Sequence, residues 1–162
     1  MTESSRATQR MFCTFRVNDR LYGVDILDVK EVTAETTCTR VAHAPDEVLG
    51  LVNIRGHIFL ALDLHRLLGL PDAPVSGDSR LVLFKPSVGH AFGVVVDAIS
   101  DIRTVDASRT ESFARAGHEA AVVSAGRADL IDCVCHLDGE LLVVLDPRRF
   151  LAVIEQSLSA IT

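Results

Sequence analysis

The chain has 162 residues, 48% of them apolar, and a formal net charge of −6, which is enough for one ordinary core or two small fused ones. Its mildly acidic balance leaves no basic patch to neutralise phosphates. One tyrosine, no tryptophan and scattered phenylalanines offer no stacking platform for bases, so nucleic acid is not an expected partner.

Residues 1–10 are polar, lack the apolar centre of a signal peptide, and read as a disordered tail. No apolar run reaches the ~20 residues of a membrane-spanning helix. The chain is therefore expected in the cytoplasm, with Cys13, Cys38, Cys133 and Cys135 reduced. From Met11 to Val17, β-branched and aromatic residues predict a strand, Asn18-Asp19 a turn, and Leu21 to Val24 the returning strand. From Ile26 to Val32 the apolar spacing suits a helical turn or a bulged strand. The choice falls to a copy of the segment further along the chain.

That copy is part of an internal duplication. Gly23 to Val32 lies without a gap on Gly93 to Ile102, and Gly56 to Asp63 lies on Gly139 to Asp146. The second copy, Val94-Val95-Val96 onward, is β-branched and fits a pleat better than a helix, so both copies are predicted as strands. Each half then closes with an apolar strand and an aspartate that can cap a short helix, Asp63 before Leu64–Leu68 and Asp146 before Pro147. Residues 71–79, with Pro71, Pro74 and Gly77, read as a connector between subdomains at about 11–70 and 80–150. Residues 151–162 are expected as a C-terminal helix or tail. About thirteen extra residues in the second half are placed within Arg103 to Asp129, predicted as a mobile loop.

Chemistry-bearing motifs are few. The histidines at 43, 57, 65, 90, 118 and 136 have no HExxH spacing, and there is no phosphate loop, dinucleotide fingerprint or G-x-S-x-G elbow. No enzyme and no cofactor is expected. Cys133-Val134-Cys135-His136 lacks the second ligand pair of a structural zinc site, so the two thiols are predicted as small buried residues on one strand face. A metal- or redox-responsive regulator built on them is the remote alternative. In Gly50-Leu51-Val52-Asn53-Ile54-Arg55-Gly56, Asn53 and Arg55 alternate with Val52 and Ile54, and on a strand both would face outward ahead of a turn at Gly56. Arg55 is then either an anchor for a partner's acceptor groups or a solvated edge arginine.

Tyr22 to Ile26, Val29 to Val32, Thr39 to Pro45, Gly50 to Gly56 and Leu62-Asp63-Leu64 together resemble the CheW family of chemotaxis coupling proteins across residues 11–155. The resemblance implies a mainly β fold of two SH3-like barrels, about five strands each, packed side by side with an apolar groove between them. It implies a non-enzymatic adaptor that links the cytoplasmic tip of a methyl-accepting chemoreceptor to the regulatory domain of a CheA-type histidine kinase. Such an adaptor would be held at membrane-anchored arrays only through its partners. Carried over by position, Val29, Glu31, Gly50, Asn53, Arg55, Gly56, Ile99 and Ile102 would face the receptor. Leu81, Val82 and Leu83 would lie near a kinase-facing edge. Leu60 stands where the family usually has proline and Cys133 where it usually has glycine, which leaves open a divergent relative that binds one partner only.

Overall fold

The structure is a computed structural model that describes residues 9–112 and 128–161. The first half runs β1 (Gln9–Val17), β2 (Arg20–Asp25), β3 (Val29–Thr33), β4 (Val48–Ile54), β5 (His57–Asp63) and the short helix α1 (Leu64–Leu68). The second half runs β6 (Arg80–Phe84), β7 (Phe92–Val96), β8 (Ala98–Asp106), β9 (Thr110–Ser112), β10 (Ile131–Leu137), β11 (Glu140–Leu145) and helix α2 (Arg148–Ile161). The strands form two sheets, one of six strands in the order β8-β1-β2-β11-β10-β9 and one of five in the order β3-β6-β7-β5-β4. The protein is mainly β, and two sheets of this size fit the SH3-like pair expected from the sequence.

The sheets do not follow the division of the chain at 71–79. Each takes strands from both halves, so the expectation that 11–70 and 80–150 fold as separate subdomains is corrected. The duplication explains how. In the six-stranded sheet β11 runs parallel to β2 with Val144 opposite Gly23, and in the five-stranded sheet β5 runs parallel to β7 with Ala61 opposite Gly93. These are the same two repeat positions with the donors exchanged. The outer pairs agree, with Phe15 opposite Ile99 and Phe84 opposite Val29. Each half thus lends strands to the other under one pseudo-twofold register.

Alternation along the strands builds three cores, because successive side chains point to opposite faces. Phe12, Leu21, Cys133, Cys135, Leu142 and Val144 fill the inside of the six-stranded sheet. Val52, Ile54, Phe59, Ala61, Leu81, Leu83 and Val95 fill the inside of the five-stranded one. The intervening positions, among them Phe15, Tyr22, Val82, Phe84, Phe92, Val94, Val143 and Phe150, meet in a larger cluster joined by residues of α1 and α2. The sheets are thereby fused back to back rather than merely adjacent.

Locally the sequence is followed closely, with three differences. Ile26–Asp28 is a 3-10 turn capped by Asp25, and only Val29 onward is strand. The expected tail is shorter, since Gln9 and Arg10 already belong to β1, where Arg10 reaches Asp25 at 3.1 Å and Asp132 at 3.4 Å. Part of the expected loop from Arg103 is ordered as the end of β8, a 3-10 turn and β9, while residues 113–127 lie outside the described residues. The helix caps behave as read: Asp63 accepts from the amide of His65 and Asp146 from that of Arg148. Helix α2 is docked by a fork from Arg148 to the buried Asp28, at 2.9 and 3.1 Å.

Candidate functional site

The Gly50–Gly56 stretch forms β4 and its turn into β5. Strand residues Val52 and Ile54 are buried in the sheet's own core, while Asn53 is exposed. Ile54 pairs with His57, which leaves Arg55-Gly56 as a two-residue hairpin loop, with φ of 51° and 88°. Both residues in the left-handed region is the pattern of the turn that matches strand twist. Arg55 is therefore on the turn and not on the strand, a correction of the expected placement. Asn53 does not stand free beside it either: its side-chain oxygen accepts from the Gly56 amide at 2.8 Å and so shapes the turn.

From that turn the Arg55 guanidinium reaches Glu31 on β3. The two strands are the opposite edges of the five-stranded sheet, so the sheet curls until its edges come within side-chain reach. A second contact bridges the same seam, the Lys30 ammonium lying 5.2 Å from the centroid of the Phe59 ring. Arg55 keeps 70% of its side chain exposed and Glu31 only 26%. The geometry presents one guanidinium outward with its nearer face held by a carboxylate. Gly50 is placed here for backbone reasons. A Cβ added there would stand 2.3 Å from the Thr39 carbonyl oxygen, and its φ is 149°.

The remaining receptor-facing candidates divide between the sheets. Val29 shares β3 with Glu31, whereas Ile99 and Ile102 lie exposed on β8, an edge of the six-stranded sheet and the pseudo-symmetric counterpart of β3. The kinase-edge assignment is not supported by position. Leu81, Val82 and Leu83 are fully buried on β6, which is paired with β3 on one side and β7 on the other. Their apolar run signals an interior strand, covered on both faces.

Leu60 and Cys133 are both accommodated. The Leu60 amide, a donor that proline would lack, bonds the Ala91 carbonyl at 2.9 Å. Cys133 sits in the six-stranded core next to Cys135, with an Arg10 nitrogen 3.8 Å from its sulfur. Bonding to Cys135 and burial push the Cys133 thiol up, while receiving that bond, and one from Thr110, holds Cys135 below the usual thiol value. Both sulfurs are buried, and among the described residues no three His, Cys, Asp or Glu side chains are grouped to hold a metal. No helix among them is long and apolar enough to cross a membrane.

Sequence reasoning missed the partnership of Glu31 with Arg55. The residues are 24 apart, one on β3 and the other on the β4–β5 turn at the opposite edge of the sheet, and only sheet curvature joins them.

Comparison with known proteins bears on the chain as a whole. The chain is 30% identical over 148 residues to the chemotaxis protein CheW of Klebsiella aerogenes, covering 91% of this chain and 84% of that one. It is 35% identical over 97 residues to a probable chemotaxis protein CheW of Rhizobium etli, but that match spans 59% of this chain and 61% of the relative, less than two thirds of its length. The crystal structure of scaffolding protein TtCheW from Thermoanaerobacter tengcongensis superposes with a TM-score of 0.72 at 24% identity, covering 84% of this chain and 88% of that one. The CheW-like domain model matches residues 11–155, and with that span the chain belongs to the CheW-like family.

Proposed function

We propose that the protein is a non-enzymatic adaptor of a chemosensory array that couples the cytoplasmic tip of a methyl-accepting chemoreceptor to a CheA-type histidine kinase. The observation that carries this reading is the exposed Arg55 turn, rigidly set by Asn53 and Gly56 and held against Glu31 on a curled sheet. A receptor tip is a helical hairpin, and such a hairpin docks by apolar anchors at i/i+3/i+4 spacing with a charged group fixing its register. Ile99 and Ile102, exposed on the matching edge of the other sheet, supply apolar surface of the required kind, while Val29 on β3 is partly buried against the central core. Family membership supports the scaffold role, and the chain would sit in the cytoplasm, tethered by its partners.

The kinase contact must use other residues than Leu81–Leu83. Edge strands carry unpaired amides and are the natural place for a like barrel to join. Among the described residues the edges are β3, β4, β8 and β9, and β9 carries none of the receptor-facing candidates. Each contact is expected to be small, near or below ~800 Å² per partner, and to gain strength by avidity in a lattice. The test is reconstitution with a soluble receptor-tip fragment and the kinase regulatory domain. Capture of both supports the adaptor; capture of neither overturns it. The burial of the expected kinase edge favours, as second reading, a family member that retains one partner only, and capture of one would establish that instead.

A further inference from the structure

Four polar side chains are buried among the described residues, and two of them are titratable: Asp28, which is forked by Arg148, and His65 on α1. Its ring is held at both nitrogens. Nδ1 faces the Pro71 carbonyl oxygen at 3.1 Å, and Nε2 faces Asp97 Oδ1 at 2.7 Å. A peptide carbonyl only accepts, and so does an ionised carboxylate. A neutral imidazole has one N–H, satisfies one of these groups and turns a lone pair on the other; an imidazolium donates to both.

We propose that His65 is a proton-operated latch. As imidazolium it ties the 69–79 connector to Asp97, and on losing its proton it releases the connector. The loss falls on the Pro71 side, because a lone pair set 2.7 Å from a carboxylate is repelled more strongly than one set 3.1 Å from a carbonyl. Nε2 keeps the proton, and the connector loses its donor.

The Asp97 end is the fixed one. Its second oxygen accepts from the Asn18 amide at 2.8 Å, and its own amide donates to the Arg16 carbonyl at 3.0 Å, so it is held by the β1–β2 turn of the other sheet. The other charges about the ring are Asp63 at the end of β5, whose Oδ1 accepts from the His65 amide, Arg66 on α1, and Asp72, which pairs with Arg66 from the connector. The connector also has space to move into. A cavity of about 200 Å³ lies against Asp63, His65, Ser79 and Asp97, with Pro74 and Val75 as its connector wall. A cleft of about 710 Å³ shares Asp63, Ala73 and Pro74 and is walled on its far side by 40–46, the segment leading into β4. Release of the connector widens that cleft.

The test uses the full chain labelled with 15N. Across a pH titration the His65 ring is expected to show protons on both nitrogens at the acid end and on Nε2 alone at the alkaline end. Over the same step, hydrogen exchange at the Leu70, Ser76 and Ser79 amides, corrected for intrinsic rate, is expected to lose about tenfold protection while β10 and β11 stay unchanged. Asp97→Asn separates the latch from a general effect of pH. Its amide oxygen can accept from Asn18 while its NH2 donates to a neutral Nε2, leaving Nδ1–H on Pro71, so connector protection should no longer respond to pH. A single ring proton at both ends of the titration, or an Asp97→Asn protein with the wild-type response, would overturn the latch.

Discussion

Replacing Arg55 separates what its ion pair does for the fold from what it does for a partner. The pair with Glu31 is mostly open to water on the arginine side, and exposed pairs contribute about 0.2–1 kcal/mol. The turn survives the change, because Asn53 still accepts from the Gly56 amide and alanine at 55 needs no conformation that arginine did not. Arg55→Ala should therefore lower the urea-derived stability by no more than about 1 kcal/mol. Desolvated under a receptor helix, the same guanidinium would be worth about 2–5 kcal/mol, or about 30-fold to 4,000-fold in affinity. The decisive variant exchanges the charges, Glu31→Arg with Arg55→Glu. It restores the internal pair but inverts the outward charge, so stability should return while binding to the receptor fragment, read by calorimetry, stays lost. Full recovery of binding in the exchanged protein would refute the reasoning, for it would mean that Arg55 acts only by closing the sheet.

Further expectations follow from burial and charge. Gly50→Ala forces a Cβ to 2.3 Å from the Thr39 oxygen at an unfavourable φ, so it should cost at least about 3 kcal/mol in urea unfolding; any loss of coupling there reflects folding. Arg148→Ala strands the buried Asp28 carboxylate and should cost about 1.5–3 kcal/mol, with the C-terminal helix losing exchange protection first. Arg16 holds the Glu140 carboxyl below its usual range, so its small stabilisation is complete above the ordinary carboxylate range and lost as pH falls through the lowered folded value. Wild type should accordingly lose more stability than Glu140→Gln between about pH 6 and pH 3, and identical acid limbs would contradict this. Ellman's reagent should react in the native protein with Cys38 ahead of the other three thiols, which are buried, and with four thiols in denaturant.

Much of the molecule is legible without coordinates. Local steric and hydrogen-bonding rules set the Asn18-Asp19 turn, the aspartate caps and the paired glycines. The duplication showed in the sequence because both halves keep those rules at matched positions. Strand exchange did not show, since Gly23 and Gly93 look the same whether their parallel partner comes from their own half or from the other. The placement of Leu81–Leu83 near an edge rests on the family resemblance and not on their own pattern, which is that of an interior strand; the sheet order shows pairing on both sides. The Glu31–Arg55 and His65–Asp97 pairs likewise exist only after curvature and helix docking bring distant segments together. Chain chemistry determined the elements and their turns, while long-range closure decided which residues face solvent and which charges meet.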